Sequence, residues 1–178
     1  MTYCEIAPGD PWHGPYHNDE YGFPTRDDAV LFERLVLEMN QAGLSWLTVL
    51  KKRAAFRAAF AGFDPALVAA FGPDDRERLL ADAGIIRNRA KVDAAIANAQ
   101  TVERLRAENG SFAGWLDAHH PLTKEEWVRL FKSTFRFTGP EIVNEFLVST
   151  GYLPGAHDAT CPVGFRIAAM KPPWMDAK

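Results

Sequence analysis

The chain has 178 residues, of which 47% are hydrophobic and 24% charged, and its formal net charge is −3. This length and composition are typical of one globular domain and exclude a disordered or fibrous protein. No apolar run is long enough to span a bilayer, and the acidic net charge does not by itself indicate a partner that is a nucleic acid.

Apolar residues recur at three- and four-residue steps through most of the chain, which is typical of amphipathic helices. The first predicted helix begins at Asp27-Asp28, whose carboxylates can accept from free backbone N–H groups, and ends at Gly43. Capping residues, glycines and prolines place the later helices at 46–60, 65–71, 74–80, 88–108, 112–116, 124–131 and 141–150.

No segment alternates with the two-residue period of a strand, so the sequence predicts an all-α fold of about eight or nine helices. We interpret residues 1–178 as a single domain. Segments 1–26 and 151–178 are rich in glycine and proline and are predicted to be irregular. The N-terminal residues MTYCEIAPGDP lack the charged and apolar regions of a signal peptide, which favours a cytoplasmic location.

Four side chains that commonly bind metals lie at the two ends of the chain. Cys4 and His17 are separated by twelve residues, whereas His157 and Cys161 have a spacing that places both on one side of a turn. Two thiolates and two imidazoles suit a closed, tetrahedral zinc site with a structural role, which would join the two irregular ends. The alternative is that these are ordinary small and polar residues, since the first spacing matches no short-range zinc pattern.

The segment 37–46 joins two predicted helices and brings a carboxylate and a large aromatic side chain close to Gly43. Glu38 lies one step from the apolar Met39, so its side chain can point partly inward, where it would need a partner. A surface glutamate beside a core Trp46 is the alternative. Three basic groups also stand out, and each is compatible with a solvated helix face; they are Lys51-Lys52-Arg53 with Arg57, Arg87-Arg89-Lys91, and Lys132 with Arg136.

Three long segments closely resemble the DNA-3-methyladenine glycosylase I family. The first two are separated by only two residues and read DPWHGPYHNDEYGFPTRDD and LFERLVLEMNQAGLSWLTVLKKRAAFRAAFAGFDPALVAAF, and RLLADAGIIRNRAKVDAAIANA follows them. The similarity is weaker at 110–135 and returns in FRFTGPEIVNEFLVSTGYLPGAHDATC. The resemblance implies a helix-hairpin-helix DNA glycosylase fold, with the hairpin and its following helix in 135–150.

The resemblance also implies an activity, namely hydrolysis of the N-glycosidic bond of alkylated purines, chiefly 3-methyladenine, in double-stranded DNA by a monomeric, monofunctional enzyme. No lysine occupies an evident nucleophile position, so lyase activity is not expected. The implied zinc ligands are Cys4, His17, His157 and Cys161. The backbone at Thr138 and Gly139 would bind a phosphate, with Lys132, Ser133 and Arg136 beside it.

The family's carboxylate that recognises the base, and is central to activity, corresponds to Glu38. Its stacking indole corresponds to Trp46 and a pocket tyrosine to Tyr16, and a cationic base would gain from both the tryptophan face and the carboxylate. We interpret Asp158, which lies between two implied zinc ligands, as a solvated loop residue.

Three pocket positions depart from the family pattern, where Ile6, His13 and Tyr21 replace larger or aromatic side chains. We therefore expect a wider pocket with a weaker or altered base preference. Two other hypotheses remain open: a protein of this fold that binds DNA lesions without turnover, and a glycosylase with a different base specificity.

Overall fold

Side-chain caps define the beginnings of most helices in the structure, a computed structural model that describes residues 1–176. Asp27 accepts from the backbone N–H groups of Ala29 and Val30, and Ser45 and Asn88 cap later helices in the same way. The α-helices are α1 (Tyr3–Ile6), α2 (His13–Asp19), α3 (Asp28–Gln41), α4 (Trp46–Ala59), α5 (Pro65–Ala69), α6 (Pro73–Ala81), α7 (Arg89–Asn109), α8 (Phe112–His119), α9 (Lys124–Thr134), α10 (Pro140–Ser149) and α11 (Pro162–Ala169). Two 3₁₀-helices cover Ala61–Phe63 and Pro173–Asp176.

The all-α prediction is confirmed, since residues 1–176 contain no strand. The prediction of irregular ends is wrong for α1, α2 and α11, which lie in segments 1–26 and 151–178; residues 177 and 178 lie outside the described range. These helices have four to eight residues, too few for an apolar period to repeat. Local chemistry starts them instead: the Asp10 carboxylate accepts from the backbone N–H groups of Trp12 and His13 ahead of α2, and Pro162 opens α11.

Helix α3 is the centre of the core, with every residue from Leu31 to Asn40 buried. Helices α4, α7, α8 and α10 pack around it, together with the short segment Ala61–Phe63. A helix that is buried on all sides must satisfy its polar side chains inside the protein. The polar residues of α3 therefore have to be explained by internal partners or by a binding site. No helix in the described part of the chain is long and apolar enough to cross a membrane.

The connection between α9 and α10 is a tight hairpin held by α7. The buried Asn98 side chain donates to the carbonyl of Arg136 at 2.9 Å and accepts from its backbone N–H at 2.8 Å. The left-handed backbone conformation falls on Phe137, with φ of 58°, whereas Gly139 has an ordinary φ of −74°. The turn predicted around Gly139 therefore exists, and the side chain of Asn98, rather than the conformational freedom of glycine, fixes its shape.

Candidate active site

The end of α3, the start of α4 and the first two helices enclose a cavity of about 270 Å³. Four aromatic rings form its walls. Tyr16 and Trp46 are adjacent, with ring centroids 5.1 Å apart and ring planes at 58°. Tyr3 stands edge-on to Tyr21 at 5.6 Å and 89°. A cavity with four aromatic walls is suited to a flat ligand with a delocalised ring system.

Glu38 is the more deeply buried of the two carboxylates that line this cavity, the other being Glu145. Glu38 is 4% exposed, and its carboxylate has no hydrogen-bond partner among residues 1–176. Burial raises the pKa of Glu38 to about 8, with a further contribution from the nearby Glu145 and an opposing one from Arg34. An unpartnered buried carboxylate is costly unless a ligand satisfies it, so Glu38 marks a binding site for a hydrogen-bond donor or a cation.

Tyr16 is held from behind by Arg34. Arg34 donates to the Tyr16 hydroxyl oxygen at 3.3 Å and to the backbone carbonyl of Ser149 at 3.2 Å, and its guanidinium lies 4.9 Å from the Tyr16 ring centroid. Because Tyr16 is 3% exposed and fixed at its polar end, its ring forms a rigid wall. The arginine is in turn paired with Glu20 at 3.3 Å.

An ion-pair network uses Arg53 and Arg57, two of the four residues in the first basic group of the sequence. Arg53 pairs with Glu20 at 2.6 Å and with Glu33 at 2.7 Å, and Arg57 pairs with Glu33 at 2.7 Å. Burial opposes ionisation of Glu33, but its hydrogen bonds to the two arginines hold its pKa below the ordinary value. The solvated-face interpretation is therefore wrong for Arg53. It is also wrong for Lys91, whose buried ammonium donates to two carbonyls at the end of α3.

The positions that depart from the family pattern lie in different places. Tyr21 is a wall of the cavity. Ile6 is 52% exposed and does not line the cavity, and His13 lies behind Tyr3, with its Nδ1 atom 3.2 Å from the Tyr3 hydroxyl oxygen. Tyr3, three residues earlier on α1, lines the cavity, and the effect of Ile6 on base preference stays a prediction.

A second, larger cavity of about 560 Å³ adjoins the aromatic one and extends to the hairpin. The first turn of α10, from Gly139 to Ile142, lines its outer end. Glu38, Gln41 and Glu145 line both cavities, so these three residues mark the junction between them. A ligand that enters the aromatic cavity can therefore remain connected to a larger molecule that lies against the hairpin.

The hairpin presents backbone and basic groups on its outer side. Gly139 is exposed immediately before α10, and Lys132 and Arg136 are exposed beside it. The side chain of Thr138 is buried and donates to the carbonyl of Phe131 at 3.2 Å, so the expectation of a phosphate contact at this position applies to its backbone alone.

The four candidate metal ligands are brought together from the two ends of the chain. One ligand atom from each of Cys4, His17, His157 and Cys161 lies within 4.8 Å of the others. The Nδ1 atom of His157 is 3.5 Å from the Cys4 sulfur and 3.6 Å from the Cys161 sulfur, and both cysteines are free of disulfide bonds. These residues could hold a metal. Asp158 lies on the surface, where its carboxylate accepts from the Thr2 hydroxyl.

Three residues of the site were missed from the sequence. Tyr3 precedes a candidate metal ligand and carries no pattern of its own, so no sequence signal identified it. Glu145 lies one step from the buried Phe146, which is the relation that singled out Glu38, and could have been found by the same argument. Gln41 is the last residue of α3, one turn after Glu38.

The chain is similar to known proteins along most of its length. A model of the methyladenine glycosylase family matches residues 6–130. DNA-3-methyladenine glycosylase 1 of Escherichia coli (strain K12) is 46% identical over 116 residues, which are 65% of this chain and 62% of that protein. The chain thus aligns with less than two thirds of that curated relative.

Solved structures match over a larger share. A crystal structure of 3-methyladenine DNA glycosylase I has a TM-score of 0.79 and 35% identity, and the match covers 89% of this chain and 97% of that one. A complex of a variant of 3-methyladenine DNA glycosylase I with 3-methyladenine has the same TM-score at 31% identity, over 92% and 97% of the two chains.

Proposed function

The chain belongs to the methyladenine glycosylase family, and from this premise we propose that it removes alkylated purines, chiefly 3-methyladenine, from double-stranded DNA by hydrolysing the N-glycosidic bond. The observation that carries the proposal is the buried, unpartnered carboxylate of Glu38 inside an aromatic cavity. The similarity to a solved complex with 3-methyladenine supports the same substrate class.

The cavity suits a base that has been turned out of the DNA stack. A flipped purine loses its stacking neighbours, and the faces of Trp46 and Tyr16 replace them. A purine alkylated at N3 carries a positive charge, so an aromatic face gains a cation–π interaction and the Glu38 carboxylate gains a charge-assisted hydrogen bond from the exocyclic amine. An unmodified adenine is neutral and gains less from the same groups, which gives the site a basis for selection.

The positive charge of an alkylated purine also makes the base a better leaving group. When the glycosidic bond of an alkylated purine breaks, the electron pair neutralises the departing base, so no acid is needed to protonate it. The protein then has to orient the nucleotide and water and to stabilise positive charge on the sugar. Among residues 1–176, those that line the aromatic cavity include no lysine.

The hairpin is the proposed DNA contact. The N-terminus of α10 carries the positive end of the helix dipole, and a phosphate can accept from the backbone around Gly139. Lys132 and Arg136 are exposed beside the turn and can add charge-assisted contacts. A DNA-binding surface made of backbone groups and two cations is compatible with an acidic net charge for the whole chain.

We also propose that Cys4, His17, His157 and Cys161 hold a structural zinc ion. A tetrahedral zinc with bonds of about 2.0–2.3 Å separates its ligand atoms by roughly 3.3–3.8 Å, close to the 3.5, 3.6 and 3.8 Å between sulfur and nitrogen atoms here. The other ring nitrogens are 2.8 Å from the Asn18 side-chain oxygen and from the Tyr21 carbonyl oxygen, an arrangement that orients the imidazoles.

The experiment is to incubate methylated duplex DNA with the protein and to identify the released bases by chromatography. We expect 3-methyladenine from the wild-type chain, a loss of release in Glu38→Gln, and wild-type release in Glu108→Gln, a matched change at an exposed carboxylate far along α7. Lesion binding without release would instead support a non-catalytic binding protein. A different released base would support altered specificity.

A further inference from the structure

Glu145 is a second carboxylate of the site, and its position differs from that of Glu38. It lies in the middle of α10 and lines both the aromatic cavity and the cavity that reaches the hairpin. Glu38 is 4% exposed, whereas Glu145, which lines the same junction, is only partly buried. Water can therefore reach Glu145 more easily than Glu38.

The hydrogen bonds of Glu145 hold its carboxylate without neutralising it. The Tyr21 hydroxyl donates to its Oε2 atom at 3.2 Å, and the Asn144 amide donates to its Oε1 atom at 3.1 Å. Among residues 1–176 it forms no salt bridge, in contrast to Glu20 and Glu33, which are paired with arginines. Its effect on Glu38, whose pKa it raises, shows that the two carboxylates are electrostatically close.

A nucleotide that occupies both cavities would bring its base and its sugar close to different carboxylates. With the base against Tyr16 and Trp46 and the phosphates against the hairpin, the deoxyribose has to cross the junction, which Glu145 lines together with Glu38 and Gln41. The more deeply buried Glu38 is then suited to the base, and the more accessible Glu145 to the sugar carbon C1′ and the water that attacks it. Positive charge develops at C1′ when a glycosidic bond breaks, and a carboxylate near it is the group that glycoside-cleaving enzymes commonly use.

We propose that Glu145 acts on the sugar: its carboxylate stabilises the positive charge at C1′ and accepts a proton from the attacking water. The bond between C1′ and the purine nitrogen breaks, and its electron pair leaves with the purine and cancels the charge of the base. The water oxygen bonds to C1′, and its proton passes to the Glu145 carboxylate and then to solvent. This inference rests on the proposed glycosylase function.

The test is to separate base binding from bond cleavage in two matched variants. Glu145→Gln keeps the volume and an oxygen that can accept from Tyr21, but removes the charge and the proton acceptor. We expect its single-turnover rate of 3-methyladenine release to fall about a hundredfold, while its affinity for free 3-methyladenine stays within about threefold of wild type. Glu38→Gln should lose base affinity as well as rate, and Glu108→Gln should lose neither.

A second variant covers the case in which Glu145→Gln is poorly folded. Glu145→Ala should be slow in buffer and should regain part of its rate when formate is added, since a small carboxylate can occupy the space. A purely structural role would not respond to formate, so the absence of rescue counts against the proposal.

The remaining outcomes are distinct from one another. Wild-type cleavage by Glu145→Gln would overturn the assignment of Glu145, and so would an equal loss of base affinity and rate, which would make it a residue that recognises the base. A wild-type chain that releases no base would instead overturn the proposed function, and this inference with it.

Discussion

The buried carboxylate of Glu38 should make the binding of a cationic purine depend on pH. Its pKa is raised to about 8, so the neutral acid predominates in the free protein at pH 6 and 7. A cationic ligand binds the ionised carboxylate, so binding below pH 8 must release a proton. At pH 6 only about 1% of a group with this pKa is ionised, so the affinity should be about a hundredfold weaker than its plateau above pH 9, equivalent to roughly 2.7 kcal/mol.

The assay is calorimetric titration with 3,9-dimethyladeninium, whose positive charge does not change with pH. The affinity should rise with pH from 6 to 9, and buffers with different ionisation enthalpies should report close to one proton released per ligand at pH 7. The phenols of Tyr3, Tyr16 and Tyr21 have pKa values raised above the ordinary value by burial, so they stay neutral over this range.

Glu38→Gln is the control, because it keeps the shape of the side chain and removes the titrating group. It should bind the cation weakly and without this pH dependence. An affinity of the wild-type protein that is constant between pH 6 and 9 would refute the reasoning, and so would a slope that persists in the Gln variant, since the titrating group would then lie elsewhere.

Three further predictions concern the metal site, the hairpin and the aromatic wall. Elemental analysis should find about one zinc per chain, and Cys161→Ser should lose it and melt at a lower temperature; a metal-free protein with unchanged melting would contradict the zinc proposal. Asn98→Ala should destabilise the fold by about 2–4 kcal/mol in denaturant titrations, because it leaves the backbone groups of Arg136 without partners, and it should weaken binding to undamaged duplex DNA; unchanged affinity would show that the hairpin is not the contact. Tyr3→Ala should weaken binding of 3-methyladenine roughly tenfold, whereas Ile6→Trp should change it less than threefold, and the reverse order would show that Ile6 is the wall.

The helices between residues 27 and 150 could be predicted because their signals are local. Asp27, Ser45, Asp64 and Asn88 each cap a helix at the predicted place, and each cap depends on residues within three positions. The helices α1, α2 and α11 were not predicted, because each is too short for an apolar period to repeat, and their residues also contact residues far away in the sequence. Tyr3 in α1, for example, contacts His17 and Tyr21, and His157 contacts Tyr21.

The residues of the site also differ in whether a local sequence signal identifies them. Glu38 and Trp46 could be identified because both lie in the short segment 37–46, and residues that are close in sequence are also close in space. Glu145 is 107 positions after Glu38, and only the packing of α10 against α3 brings the two carboxylates to one cavity. The same limit applies to Ile6: the family resemblance predicts a missing wall there, but only the fold shows that Tyr3 lines the cavity and Ile6 does not.

The charges around the site explain how it can favour a cation while cations lie directly behind it. Arg34 and Arg53 are close to the Tyr16 ring, but Glu20 and Glu33 pair with them at distances of 2.6–3.3 Å. Close pairing cancels most of their field beyond the network. On the cavity side neither Glu38 nor Glu145 has a cationic partner within salt-bridge distance among residues 1–176. The network therefore holds the aromatic wall rigid without forming ion pairs with Glu38 or Glu145, and the charge of the ligand remains a property that the cavity can select.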